Sequence, residues 1–552
     1  MKFLKTTLAL SLASALPALA QQAPDAGRVL RETQASPLLA PRPSTGIAIQ
    51  KPVTEAVPAG GATVTLKALR ISGNTRFTEK ELLQVIGAVT GKSFDVAGLR
   101  AITEKITRHY HLNGYPFARA FLPAQNITDG TVTCQIVEGR YGRVQSKGEA
   151  ALSERAQDFL APLQPGAVIT SGALERTTLI LKDQPGIQTT SLIRPGQALG
   201  TGDLVVNVSR TPLFHGDVGA DNYGNRYTGA LRLRINAQFD SPFLFGDQIT
   251  ARGIYSEEDL WLGNLGYSLP LGSSGLRASV SYAHTYYELG EDFASLDAHG
   301  TAKVASAGVS YPLLRSQQTN LTLGATWQHK KLNDRQDSTS TNNDKSSHSA
   351  VFAMPFDHRD GLGGGGLTYG NLSYTLGWLK LDSTLDATDR SSHTDTRGDF
   401  SKWNLDLARL QALPADFNLL GRLSLQRANK NLDSSEDFSL GGPNGVRGYP
   451  VGEGIGDEGW LAQIELRYQW QRFAPYLFHD LGRVRINADP EPITPAVQDN
   501  TRSLAGSGFG LRYADTRWNV DVNLAWRHRG GEPTADTRDH RPRVWATASC
   551  TF

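Results

Sequence analysis

The chain has 552 residues, with 56 Lys and Arg against 54 Asp and Glu and a formal net charge of +2. That balance, with no Lys/Arg run long enough to make a phosphate-binding stripe, excludes nucleic acid as a partner drawn by charge. The two cysteines, Cys134 and Cys550, cannot fill a four-ligand structural zinc site and are no disulfide framework for an exported chain of this length.

Residues 1–20, MKFLKTTLALSLASALPALA, pair two lysines with an apolar stretch and end in Ala18-Leu19-Ala20. That pattern predicts a secretory signal peptide and an exported mature chain. In residues 21–35, Asp25 is placed to cap a short helix through Arg28, Val29, Leu30, Arg31 and Glu32. Residues 36–62, rich in Pro, Gly, Ser and Ala, read as an extended tether.

The next segment, 63–138, has the order strand, helix, helix, strand, strand. VTLKALRISG alternates as a strand, and Thr78 and Glu81 have capping-box spacing. Asp95 opens a helix with Leu99, Ile102 and Ile106 on one face, and GYPFARAFLP and GTVTCQIVEG read as strands. Residues 139–211 repeat the order more weakly, from YGRVQSKG to GDLVVNVSRT.

From Pro212 to Phe552 the helical period disappears. In GALRLRINAQF, Leu231, Leu233, Ile235, Ala237 and Phe239 alternate with Arg232, Arg234, Asn236 and Gln238. Near the C-terminus, Trp518, Val520, Val522, Leu524 and Trp526 alternate in the same way with Asn519, Asp521, Asn523 and Arg527. No stretch past residue 20 approaches the ~20 apolar residues of a membrane helix, but a transmembrane β-barrel crosses with alternating strands instead. Aromatics near strand ends and roughly sixteen strand-turn repeats point to such a barrel over 212–552. The polar segments HKKLNDRQDSTSTNNDKSSHS and DATDRSSHTDTRGD are expected to be extracellular loops. The fold class is α+β modules followed by an all-β transmembrane barrel.

No catalytic or cofactor motif emerges. The chain has no G-x-S-x-G elbow, H-E-x-x-H or Walker loop. GLGGGG at 361–366 reads as a turn, and FDHRD (Asp357, His358, Asp360) matches no defined metal site. An enzyme is not expected, nor a cofactor.

The most specific stretch is LGGPNGVRGYPVGEG, Leu440 to Gly454. It packs six glycines and two prolines around Arg447, between two strand-like segments. Its VRGY (Val446, Arg447, Gly448, Tyr449) is followed by FHDLG (Phe478 to Gly482), of the form F-x-D-x-G, and preceded by DNYG, Asp221 to Gly224. With two upstream modules and a barrel, these motifs resemble the two-partner secretion outer-membrane transporters, the TpsB class of haemolysin secretion/activation proteins.

The resemblance implies two POTRA domains (63–138 and 139–211) in the periplasm and a sixteen-stranded barrel in the outer membrane of a Gram-negative bacterium. An in-folded loop, 441–459, would be locked by Arg447 pairing with Asp480. Val446, Gly448 and Tyr449 belong to the loop motif, and Phe478 and Gly482 to the wall motif. The N-terminal helix, with Arg28, Leu30 and Arg31, would sit in the pore as a plug. The partners implied are a large secreted protein (an adhesin, haemolysin or toxin with an N-terminal secretion domain), outer-membrane lipid, and the barrel-assembly machinery for insertion. The alternatives are an outer-membrane insertase of the same superfamily and a passive porin or nutrient receptor.

Overall fold

A computed structural model describes residues 23–34, 48–49, 60–127 and 129–552. The expected signal peptide and most of the expected tether lie outside the described residues.

The first α+β unit is built on a three-stranded sheet with Thr131–Val137 in the centre, flanked by Ala68–Ser72 and Arg119–Phe121. Helices Glu79–Ile86 and Val96–Leu112 cover it, burying Leu82, Ile86, Leu99, Ile102 and Ile106 against Val132, Cys134 and Ile136. The capping box of Thr78 and Glu81 forms, and the Asp95 carboxylate accepts from the Gly98 N–H.

Two expected strands are shorter than their patterns. VTLKALRISG splits into Val64–Thr65 and Ala68–Ser72 because the backbone changes partners between them. The Leu66 N–H donates to the Lys92 carbonyl and the Lys67 N–H to that of Gly130. GYPFARAFLP is strand only over Arg119–Phe121, since the Ala118 N–H closes a turn onto the Tyr115 carbonyl.

The second unit repeats the order: strand Arg140–Gly148, helices Ala150–Leu160 and Ser171–Lys182, strands Ile187–Pro195 and Thr201–Arg210. Its sheet gains a two-residue strand, Ala48–Ile49, running parallel beside Ile187–Pro195.

The remaining chain closes into a barrel of sixteen antiparallel strands in sequence order, the first (Phe214–Asp221) pairing with the last (Arg543–Thr551). Closure leaves no unpaired edge, which an open sheet could not avoid in lipid. Trp327, Phe352, Leu477 and Val522 face outward and exposed, while Lys330, Ser347, Asp480 and Asn523 on the same strands are buried inside. An apolar outside and polar inside is the pattern lipid selects.

The second unit seats on one end of the barrel, here the near end. Asp183 pairs with Arg315 at 2.6 Å, Arg176 donates to the Pro312 carbonyl at 2.7 Å, and Arg277 donates to the Gln184 side chain at 3.1 Å. GLGGGG is a turn at this end, between strands Thr341–Asp360 and Gly366–Leu381.

The far end departs from the loops expected there. Residues 329–349 form almost no loop, because strand Thr319–Gln336 pairs with Thr341–Asp360 up to Gln336 opposite Thr341. Their polarity reflects side chains beyond the apolar band, not an unpaired backbone. The first half of DATDRSSHTDTRGD lies in a helix, Ser383–Ser392, capped by the Asp382 carboxylate, so the barrel half is not free of helix. The in-folded connection is also longer than 441–459, running from strand Phe417–Ala428 to strand Glu458–Tyr468.

Val522 lies outward and midway between Trp518 and Trp526. Val522→Arg is expected to lower barrel stability by about 2–4 kcal/mol, read as the denaturant midpoint in lipid vesicles.

Candidate functional site in the barrel lumen

The wall of the site is made by two neighbouring strands. Alternation on Glu458–Tyr468 turns Gln463, Glu465 and Arg467 inward, and on Phe473–Arg485 it turns Phe478, Asp480 and Gly482 inward. His479 faces the other way, its Nδ1 2.7 Å from the Ser507 hydroxyl, so it forms no pair with Asp480.

The connection after Ala428 folds back against this wall and carries its own small core. Leu440, Val446 and Tyr449 bury against Leu461, Val484 and Leu504. Gly448 is required by close approach, since a Cβ there would stand 2.9 Å from the Arg527 main-chain nitrogen. On the wall, a Cβ at Gly482 would stand 2.6 Å from the Leu440 side chain.

Arg447 occupies the centre, 3% exposed. Its Nε donates to Asp480 Oδ2 at 2.8 Å and its Nη2 to Oδ1 at 2.7 Å, a two-point match of guanidinium to carboxylate. The third side of the fork, Nη1, donates to Glu465 Oε1 at 2.7 Å. The guanidinium carbon lies 3.5 Å from the centre of the Phe478 ring. The backbone is held as well: the Arg447 N–H donates to Asp480 at 3.1 Å, and the Trp545 indole donates to the Arg447 carbonyl at 2.8 Å. The Tyr449 hydroxyl lies 2.8 and 2.9 Å from the carbonyls of Arg529 and Gly531.

Three anchors were not singled out from the sequence. Glu465 balances Arg447 together with Arg467 and Arg512, at 2.5 and 3.2 Å. Glu453, fully buried, accepts from Arg502 at 2.6 Å and from the N–H groups of Thr534 and Ala535 at 2.8 and 2.9 Å. Glu436, where the loop begins, is clamped between Lys330 and Lys402. Strand alternation could have marked Glu465 as inward; nothing local marks Glu453 or Glu436.

Asp221 of DNYG does not touch the lock. It pairs with Arg232 and Arg234 at the far end of the first strand, while Tyr223 meets Trp545 edge-on.

The N-terminal helix, Ala26–Glu32, lies inside the barrel. Val29 and Leu30 bury against Tyr227, Ile254, Leu262 and Tyr287. Gly27 lets the helix touch the loop: a Cβ there would stand 2.7 Å from the Ser435 main-chain nitrogen. Lys345 bridges helix and loop, 2.9 Å from Asp25 and 2.8 Å from Asp433. Asp25 also accepts from Ser434 at 2.6 Å, and Asp334 accepts from the Ala26 N–H at 2.6 Å. At the other end Glu32 accepts from the Asn225 side chain at 3.0 Å. Arg28 and Arg31 line a cavity of about 740 Å³ with Arg232, Arg234 and Arg252, and Arg31 donates to Gln34 at 3.3 Å.

The FDHRD residues separate onto different partners, Asp357 to Asn320, His358 to Thr319 and Asp360 to Arg409. Among the described residues Asp297, His299 and Asp337 bring three ligand atoms within 4.8 Å of one another, at the far rim.

Arg447→Ala would leave Asp480 buried without its cation, while Glu465 keeps Arg467 and Arg512, at a cost of about 3–5 kcal/mol in a dry site and less in a hydrated lumen. Arg447→Lys is expected to recover only part of this, because an ammonium cannot span both carboxylates. Maleimide labelling of Asn444→Cys, in a Cys550→Ser background, should accelerate in the order wild type, Lys, Ala.

Burial pushes the Glu32 carboxyl up to about 7 from its ordinary 4.5, the Asn225 hydrogen bond opposing it. The seated helix therefore holds a proton that the released helix loses, and seating weakens as pH rises through about 7. Lowering the pH from about 8 to about 6 should reduce single-channel openings in planar bilayers, and Glu32→Gln should weaken that dependence.

Residues 200–513 match the family model for the haemolysin secretion/activation protein ShlB/FhaC/HecB, and residues 64–139 match that for the POTRA domain, ShlB-type. The chain is 26% identical over 464 residues to the heme/hemopexin transporter protein HuxB of Haemophilus influenzae (strain 86-028NP), covering 82% of this chain and 81% of that one. To the outer membrane transporter CdiB of Dickeya dadantii it is 25% identical over 481 residues, covering 84% and 83%. To the hemolysin transporter protein ShlB of Serratia marcescens it is 25% identical over 493 residues, covering 87% and 85%. The solved structure of CdiB from Escherichia coli superposes with a TM-score of 0.71 at 20% identity, covering 95% of each chain, and shows the same fold. With a model match spanning more than half its length, the chain belongs to the ShlB/FhaC/HecB family of haemolysin secretion/activation proteins, outer-membrane barrels with periplasmic POTRA domains.

Proposed function

We propose that this protein is the transporter of a two-partner secretion pair, accepting an unfolded secreted protein in the periplasm and passing it through the barrel to the cell surface. The observation that carries this reading is the way the lumen is closed. It is blocked by two chain segments, the helix Ala26–Glu32 and the loop of Arg447, each held to the wall by ion pairs and hydrogen bonds. Neither contributes a strand to the closed barrel sheet, so both can leave without breaking a pair of wall strands. Arg447, with Asp480 and Glu465, is the lock of the loop, and Asp25 with Lys345 the lock of the plug.

The entry point in this reading is a groove of about 1700 Å³ between the two α+β units, both taken as POTRA domains. Helix Val96–Leu112, edge strand Arg119–Phe121, Ile169 and Ile193 line it. An extended partner segment can add to that open edge through main-chain hydrogen bonds and place alternate apolar side chains in the groove. A passive porin has no use for such a groove; an insertase is the remaining rival and differs by its cargo.

The test is export of a large secreted protein encoded beside this chain, scored on the cell surface. Wild type should export it. Ala101→Trp, which fills the groove from an exposed position, should export several-fold less from an equal amount of heat-modifiable barrel. Normal export by Ala101→Trp would remove the groove from the mechanism, and no export by wild type would remove the transport reading for that partner.

A further inference from the structure

The barrel's lysines divide by the face they occupy. Inward Lys330, Lys345 and Lys402 each meet a carboxylate: Glu436, the Asp25–Asp433 pair, and Glu436 again. Outward and exposed Lys303, Lys331 and Lys380 have no ion pair or hydrogen bond among the described residues. Yet they stand side by side. Across five neighbouring strands the directly paired residues are His284, Lys303, Lys331, Ser346 and Lys380. With strands about 4.8 Å apart, the row spans about 19 Å.

Two ammonium groups directly opposite, Lys303 and Lys331, repel each other and destabilise the sheet unless an anion lies between them. The protein offers none there. Of the outward carboxylates flanking the row, Asp344 already accepts from Asn333 at 2.9 Å, and Asp399 sits opposite Trp378 in the row below.

The height of the row identifies what reaches it. The row directly beneath holds Tyr282, His329, His348 and Trp378, with Trp327 exposed one step lower on the seventh strand. Such an aromatic belt marks the membrane–water boundary. Leu321, near the periplasmic turn, is ten residues before Lys331 on the same strand. At about 3.4 Å per residue and a tilt of about 40°, that separates them by about 26 Å along the normal, the thickness of the lipid-facing band. Lys331 therefore stands at headgroup level on the cell-surface side, opposite the end that carries the α+β units.

From this we infer that Lys303, Lys331 and Lys380, with His284, form a docking site for the phosphorylated headgroup of a glycolipid in the outer leaflet of the outer membrane. Phosphate oxygens accept from the lysines and relieve their repulsion, while the acyl chains lie along Trp327, Phe352 and Leu376, which are exposed on the same strands.

The experiment is native mass spectrometry of the full chain in detergent, titrated with diphosphoryl lipid A or with the same lipid dephosphorylated. The wild type should retain the diphosphoryl form and not the dephosphorylated one, a comparison that needs no variant. The triple variant K303Q/K331Q/K380Q should bind it about a hundredfold more weakly, at roughly fivefold per lysine. Arg427→Gln, removing an outward cation on the eleventh strand, should leave binding unchanged. Equal retention of the two lipids, unchanged binding by a heat-modifiable triple variant, or an equal loss in Arg427→Gln would each overturn the assignment.

Discussion

A guanidinium buried between two carboxylates organises the interior of this barrel. Arg447 cannot lose its charge, and at 3% exposure it cannot keep its water, so Asp480 and Glu465 must be where they are. Those two sit on neighbouring strands, and the loop that brings Arg447 to them must turn back through the lumen. The remaining anchors follow the same logic with the signs reversed. Glu436 at the start of the loop lies between two lysines, and Glu453 at its end accepts from an arginine and two backbone N–H groups. Each anchor is a buried polar contact, set beside the small apolar core of Leu440, Val446 and Tyr449.

Plug and loop are not independent. Lys345 holds Asp25 of the helix and Asp433 of the loop at once, and Gly27 brings the helix backbone against Ser435. Removing the helix exposes one face of the loop's first turn and leaves Lys345 with half its counter-charge. The two segments therefore share one cation, so helix and loop are held through a common contact.

The strands show how the period of two sorts neighbouring residues into different environments. Lys330 clamps the loop while Lys331 faces the lipid boundary, and His479 faces outward while Asp480 holds the lock. One residue of register decides between lumen and lipid. The long hairpin of Thr319–Gln336 and Thr341–Asp360 carries this sorting past the membrane, which is why its polar sequence resembles a loop.

The sequence by itself determined the elements whose causes are local. Alternation over Leu231–Phe239 and Trp518–Trp526 specifies lipid-facing strands, Thr78 and Glu81 specify a capped helix, and Asp25 caps the plug. The Arg447–Asp480 pair was legible only through its motifs, since neither residue alone differs from any surface charge. Tertiary structure decided the rest. Glu465, Glu453 and Glu436 acquire their roles from cations far along the chain, and the split of VTLKALRISG follows from partners at Lys92 and Gly130. The row of Lys303, Lys331 and Lys380 exists only through the pairing of distant strands. Charge complementarity acts through space, and only closure of the barrel puts these residues within its reach.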